Sequence, residues 1–474
     1  MAVLAIDQGT SATKAVVVGD DGAVLGLAEA PLDVHATPDG GVELDPEAMW
    51  QSVLTAGRQA LAAAGTPALA AIGLGNQGET ILAWDRATGR PLGPAIVWQD
   101  RRSVDVCTRL AAHGPRLAHL TGLELDPYFV APKMVWLRAR VGAGPAITTT
   151  DTWLLHRLCG AFATDVATAG RSLLLDLETG GWSPEACALF GIDPAELPTV
   201  VGNAEPLGTT SVFGGNVPVT GACVDQQAAL FAEACHSAGE AKCTYGTGAF
   251  MLACTGGTPT RSTNGLVGCP AWRIGDTLTW CLDGQVYTVG AAVGWLIDMG
   301  VMTEPADLDR LGGSVPNSQG VTFVPALAGL AAPYWKPEAK AAFTGLSLGT
   351  DRGHLVRAAI DGIAAQVALL AAAAGRDLGA PLTRLRVDGG LTRSRTLLQV
   401  QADLLQCPVE VYPSPHATAL GVAAFAAIGA GLPMADAPAA AWAPSAVVEP
   451  AIGPAEAEER LASWQAVAAA TMGL

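Results

Sequence analysis

The sequence predicts an α/β protein built of two related domains with a cleft between them. Three observations carry that expectation. At 474 residues, the chain exceeds what one hydrophobic core usually organises. Half of its residues are apolar and only 15% are charged, which supports large buried cores and argues against disorder. Apolar strands ending in polar glycine turns also occur in both halves, at DQGTS (7–11) and TYGTG (244–248), with a Gly-Thr pair at the same relative place.

The opening reads as a hairpin. VLAID is a strand, DQGTSAT a polar turn and KAVVV a second strand, after which Asp20-Asp21-Gly22 turns the chain into AVLGLAEA. A helix follows, with Asp45 at its N-cap, Pro46 at the first helical position, and Met49, Trp50, Val53, Leu54 and Leu61 at helical spacing before Gly65. Strand AAIGLGN leads through the loop NQGET to strand ILAW. Helices are expected around 100–112, 132–141 and 152–158. Residues 178–218, rich in Gly, Pro and Thr, read as an irregular connection. Short VTGA (219–222) then reaches Cys223, Asp225 and a helix starting near Gln226. The second cycle opens at Ala241 with KCTYGTGAFMLAC. Strand RLRVDGG (384–390) and a helix over 417–430 are expected to complete it. The domains should meet near residues 226–240, dividing the chain into 1–228 and 229–474.

The formal charge of −17 repels phosphate backbones, which sets nucleic acid aside as a partner and requires any phosphate site to be built locally. Ten scattered cysteines form no CxxC pair and read as buried thiols in a reducing cytoplasm. MAVLAIDQGT carries an acid at Asp7 and no basic flank, unlike a signal peptide. The longest apolar stretch, Ile363 to Ala374, is interrupted by Gln366 and is short for a bilayer span, so no membrane role is expected.

The chemistry concentrates in the turns. DQGTSATK offers backbone N–H groups and the hydroxyls of Thr10, Ser11 and Thr13 to phosphate oxygens, with Lys14 as a cation and Asp7 able to hold Mg²⁺ through water. The same residues also read as an ordinary polar hairpin, and the turn is neither a Walker A loop nor GxGxxG. TYGTG, with Thr247, and VDGG (387–390), ahead of a helix start marked by Thr392, are further strand-end glycine turns. Three such turns in two α/β units point to a nucleotide in the cleft. Asp225 can accept the proton of an attacking hydroxyl, and it also reads as a helix N-cap. NQGET, WQDRR (98–102) and DPYF (126–129) combine aromatic rings with amides and carboxylates, as polyol sites do. Singly, their rings read as packing anchors and Arg101-Arg102 as a solvated charge pair.

Taken together, AIDQGTSATKAVV, IGLGNQGET, AIVWQDRR, GLELDPYF, PKMVWL, VDQQAAL, TYGTGAFM, APYWKPEAK, LRVDGG and ATALGVAAF resemble the FGGY family of carbohydrate kinases, most closely its glycerol-kinase branch. AAFTGLSLGTDRGHLVRAAIDG (341–362) fits the family's C-terminal signature. The resemblance spans about residues 3–430. It implies two ribonuclease-H-like domains of the actin and sugar-kinase superfamily, with the acceptor mostly on the first and ATP on the second. By position it makes Asp225 the general base and places Asp7, with Asp225, at Mg²⁺. Thr10, Ser11, Lys14 and Thr247 would contact the ATP phosphates, with Gly290, Gly390 and Ser394 near the nucleotide. Glu79, Trp98, Tyr128, Asp225, Gln226 and Phe250 would line the acceptor pocket. FGGY kinases are often homodimers or homotetramers.

Departures from the pattern bear on substrate. Gly78 stands where glycerol kinases carry an arginine that binds glycerol hydroxyls, removing a guanidinium fork and vacating volume. That implies an acceptor longer than glycerol, a four- or five-carbon polyol or ketose. Lys14 replaces an arginine, Gly294 and Ser394 replace Gln and Asn near the nucleotide, Asp100 adds an acceptor close to the sugar pocket, and Val130 replaces a small hydroxylated residue. Glycerol kinase proper, a silent sugar-binding regulatory protein, and an acceptor-less ATPase are the alternative readings.

Overall fold

The computed structural model describes residues 1–432 and 443–473 and contains three large sheets, of which one of six strands and one of seven position the site. The first has six strands in the order Gly208–Thr210, Val217–Val224, Leu69–Asn76, Ala2–Gln8, Ala12–Gly19, Val24–Pro31. The second has seven, in the order Val267–Ile274, Thr277–Val286, Ala249–Gly256, Ala241–Tyr245, Leu385–Asp388, Val409–Val411, Ala446–Val448. In each, a strand of the opening hairpin also pairs parallel with a later strand: Ala2–Gln8 with Leu69–Asn76, and Ala241–Tyr245 with Leu385–Asp388. Both glycine turns therefore sit at the carboxyl ends of parallel strands, where α/β sheets place ligands.

The local signals behave as their chemistry dictates. Asp45 accepts the Glu47 N–H at 2.9 Å, Pro46 begins helix Pro46–Ala63, and Met49, Trp50 and Val53 are buried against the first sheet's outer strands. The helix Arg352–Leu378, which contains the apolar stretch 363–374, is long and apolar enough by composition to cross a membrane. However, 78% of its apolar window is buried inside the protein.

Four expectations are corrected. Residues 178–218 carry structure: Ser183 caps helix Pro184–Phe190, Thr199–Val201 pairs with Ala163–Asp165, and Gly208–Thr210 becomes an edge strand of the first sheet. The density of Gly and Pro there marks the ends of short elements, not their absence. Thr392 does not start a helix. It lies in the 3-10 turn Gly390–Arg393, its hydroxyl donating to Gly389 O at 2.7 Å, and Ser394 caps helix Arg395–Leu405. Asp225 is not an N-cap either: Val224 occupies that place, and Asp225 is the first residue of helix Asp225–Ala232.

The fourth correction is topological. Helix Ala417–Gly429 does not complete the second unit. It packs on the first sheet, along Val217–Val224, Ala2–Gln8 and Leu69–Asn76, and against helix Asp225–Ala232. Its sequence, ATALGVAAFAAIG, is apolar on nearly all sides, so it can be buried between two bodies at once. The approach is close. A Cβ on Gly421 would fall 1.9 Å from Ala228 O, so only glycine fits there. The chain thus returns from the second sheet to tie the two halves together beside Asp225, where Thr418 Oγ1 donates to Asp225 O at 3.3 Å.

Candidate active site

A cavity of about 300 Å³ opens between the sheets. It is lined by Thr10, Ser11, Lys14, Glu79, Trp98, Tyr128, Asp225, Gln226, Thr247 and Phe250, all expected from the sequence, and also by Gly78. Asp7, Gly290, Gly390 and Ser394 are not on its wall. Gly290 is tied to the second glycine turn, its N–H donating to Gly246 O at 3.0 Å. Gly390 and Gly294 border open space, where an added Cβ would meet nothing within 4 Å. Ser394 Oγ is committed to Asp309 Oδ1 at 2.9 Å and to the Leu397 N–H.

On the first-sheet side, a hydrogen-bonded chain sets the aromatic wall. Trp98 Nε1 donates to Thr10 Oγ1 at 3.0 Å, and Thr10 donates to Gln77 Oε1 at 3.0 Å, which Thr80 also reaches at 3.1 Å. Trp98 stands edge-on to Tyr128 and Phe250, with centroids 5.9 and 6.2 Å away. Buried Lys133 holds the loop carrying Tyr128 by donating to the carbonyls of Pro127, Tyr128 and Phe129. Its ammonium is pushed down to about 8, chiefly by burial. Glu79 adopts φ +57, a left-handed conformation that a glutamate keeps only where its surroundings over-determine it.

What holds Glu79 is Arg171, which the sequence reading missed. Arg171 Nε donates to Glu79 Oε1 at 2.6 Å and Nη1 to Asp283 Oδ2 at 2.6 Å, and all three side chains are almost fully buried. Glu79 comes from the loop after Leu69–Asn76 and Asp283 from Thr277–Val286, so this triad crosses between the sheets on the pocket wall. The available signal was a lone arginine in the otherwise uncharged run ATAGRSLLL. Lys242 was missed too. It is wholly buried and bridges Gln226 Oε1 (2.6 Å) and Thr244 Oγ1 (2.8 Å), linking the Asp225 helix to the second glycine turn.

Three further sequence expectations fall differently. Thr13 points away from the turn into the core, hydrogen-bonded to Ser52 at 2.6 Å, because strand alternation puts it on the opposite face. Asp100 does not reach the pocket. Its carboxylate accepts from Arg102 Nε and Nη2 and from the Val42 N–H. Arg102 is accordingly no solvated charge: it is mostly buried, also meets Glu43, and lies over Trp136.

The electrostatics are those of carboxylates held out of water. Burial pushes Asp225 above the ordinary aspartate range, with Lys242 pulling back. Asp7 is pushed up to about 7 by burial and by the neighbouring Asp225, with Lys14 opposing. Two neighbouring, half-buried carboxylates make a hard oxygen donor set that suits a divalent cation shared with phosphate oxygens. For the protein alone, folded Asp7 keeps its proton up to about pH 7, whereas the unfolded chain releases it near 3.8. Stability therefore falls as pH rises through that window. Asp7→Asn should be more stable than wild type at pH 8, by at most about 4 kcal/mol, and the gain should shrink to less than half of that at pH 5. Thermal melts at the two pH values check this, and an equal gain at both would contradict it.

Residues 2–232 match the model of the FGGY family of carbohydrate kinases, N-terminal domain, and residues 241–430 that of the C-terminal domain. A glycerol kinase of Alkalilimnicola ehrlichii is 42% identical, over 98% of this chain and 97% of its own length. A glycerol kinase of Thermus brockianus has the same identity and coverage. The crystal structure of Plasmodium falciparum glycerol kinase with ADP superposes with a TM-score of 0.91 at 29% identity, covering 99% of this chain and 98% of that one. Ligand-bound xylulose kinase from Lactobacillus acidophilus gives 0.90 at 20% identity, covering 99% and 98%, a likeness of fold. The fold is thus the two-domain architecture of the actin and sugar-kinase superfamily.

Proposed function

The chain belongs to the FGGY family of carbohydrate kinases, and we propose that it transfers the γ-phosphoryl group of ATP to a hydroxyl of a polyol or ketose longer than glycerol. As a carbohydrate kinase it is a phosphotransferase with an alcohol acceptor. One observation carries the mechanistic reading: Asp225, both glycine turns and the aromatic wall line a single cleft.

In this reading Asp225 takes the proton of the attacking hydroxyl as its oxygen bonds to the γ-phosphorus and ADP leaves. Thr10, Ser11, Lys14 and Thr247, with the backbone N–H groups of Thr247 and Gly248, surround the phosphates. Glu79, Gln226 and Asp225 bind acceptor hydroxyls, while Trp98, Tyr128 and Phe250 cover its C–H faces. Asp7 and Asp225 suit Mg²⁺, which, bound with the nucleotide, neutralises phosphate charge. Gly290 and Gly390, beside the second glycine turn, flank the nucleotide. Ser394 acts there only as the cap that positions helix Arg395–Leu405. The acceptor half corresponds to residues 1–228 and the nucleotide half to 229–474, of which 433–442 and 474 lie outside the described residues. ADP in the Plasmodium falciparum structure supports the nucleotide assignment. Ten unpaired cysteines, nine of them buried, support a cytoplasmic location. The homodimer or homotetramer carried over from the family is read by light scattering.

The longer acceptor rests on Gly78, which lines the cavity without a side chain. A Cβ there would meet only Val224 Cγ2, at 3.0 Å, so an arginine can be restored. A second reading, glycerol as acceptor, is favoured by the relatives' names and by the guanidinium that Arg171 brings to the wall. ADP release across glycerol, erythritol, pentitols and ketopentoses decides between them. The expected result is a four- or five-carbon acceptor ahead of glycerol. Gly78→Arg should then shift the preference toward glycerol by about tenfold or more, the worth of a charge-assisted hydrogen bond. Glycerol ranked first by wild type would leave the kinase and refute the longer acceptor.

A further inference from the structure

Strand Thr277–Val286 of the second sheet carries polar atoms that no step above uses. Asp283 lines the cavity, and its Oδ2 is held by Arg171, but its Oδ1 has no hydrogen-bond partner. Two residues on, Gln285 is buried, and neither its amide oxygen nor its nitrogen makes a hydrogen bond. The Tyr287 hydroxyl is its polar neighbour.

Strand alternation places Asp283 and Gln285 on the same face. That face is fixed by its contacts. Asp283 meets Arg171 from the first-sheet side, Tyr287 just past the strand end interacts with Arg101, and Gln285 lies between them. In the ladder Gln285 sits directly opposite Phe250, which lines the cavity. Three buried polar atoms without partners on one short stretch are unusual, because a buried polar atom is destabilising unless something satisfies it. Their chemistry is complementary to a sugar hydroxyl, which can donate to a carboxylate oxygen and accept from an amide N–H. A ketose carbonyl could accept from the same amide.

We propose that Asp283 and Gln285 form the second-sheet wall of the acceptor pocket and bind the distal oxygen of a four- or five-carbon acceptor. This rests on the longer-acceptor reading, and it explains what that extra length meets: Gly78 leaves room on one side, and the strand offers partners on the other. Glycerol, too short to reach both ends, leaves these atoms unpaired. Asp283 and Gln285 are thereby specificity residues, while Asp225 keeps the chemistry.

The test is steady-state kinetics of wild type, Gln285→Ala and the volume-keeping Gln285→Leu on glycerol, erythritol, ribitol and ketopentoses, with melting temperatures as a fold control. The expected result is a fall of about tenfold in the kcat/KM ratio of the best long acceptor to glycerol, expressed mainly in KM, for both variants. If wild type prefers a long acceptor and both variants keep that ratio, or lose activity on both acceptors alike, this inference is overturned and the longer-acceptor reading stands. If wild type prefers glycerol, both fall together. Should Gln285→Ala melt early, Gln285→Leu alone decides.

Discussion

Asp225→Asn should lower kcat by about 10²–10⁴-fold, the range that a positioned general base supplies. The carboxylate sits at the first turn of helix Asp225–Ala232, its Oδ1 fixed by the Gln226 N–H at 2.7 Å, and it lines the cavity. Its neighbours are arranged around it: Lys242 anchors Gln226, and Thr418 ties its carbonyl to the returning helix. Asparagine keeps the shape and the hydrogen-bonding oxygen but cannot take the proton. Acceptor KM should therefore move little while turnover collapses. Because burial costs the charged form, the variant should also fold at least as stably as wild type at pH 8. Retention of a large share of wild-type turnover, measured as ADP release, would remove Asp225 from the chemistry. The raised carboxyl also fixes the direction of the pH dependence. Activity should rise with pH on the acid limb, as the base loses its proton, and the asparagine variant should lack that limb.

Arg171→Met carries the other large effect. The substitution strips Glu79 and Asp283 of their shared cation while both remain buried. Breaking such a buried pair by deleting one partner typically costs about 3–5 kcal/mol, far more than a surface ion pair is worth. Burial already holds both carboxyls above their ordinary range, with Arg171 as the main opposing influence. Without it they rise further, so the folded variant binds protons that the unfolded chain has released. The stability deficit should accordingly grow from pH 5 to pH 8. Adding Glu79→Gln and Asp283→Asn should recover most of it, which distinguishes lost charge pairing from lost packing. A melting temperature unchanged by Arg171→Met at both pH values would contradict the triad's role.

The local elements were legible because their signals are local. The hairpin turns, the Asp45-Pro46 helix start and the strand-end glycines depend on residues a few positions apart, and the structure repeats them nearly as read. Elements failed where composition masked a short signal, as in residues 178–218, or where a polar residue had two plausible partners. Asp100 looked like a pocket acceptor and is consumed by Arg102. Thr13 looked like a phosphate donor and faces Ser52. In each case the deciding contact lies far along the chain or on the opposite strand face.

The sequence by itself determined the family, the two α/β units and many of the side chains that line the cleft, though not Arg171 or Asp283, because ordered motifs and alternating patterns survive without coordinates. Only the tertiary structure decided what stands behind those side chains. Arg171, Asp283 and Lys242 are single charged residues in apolar surroundings, and nothing in their neighbourhoods says which distant group each one meets. The helix Ala417–Gly429 is similar: apolar on nearly every side, it can be assigned a partner only when Gly421 is seen against Ala228 O. Buried charges and featureless apolar helices take their roles from long-range pairing, and that pairing is settled by the packing of the whole chain.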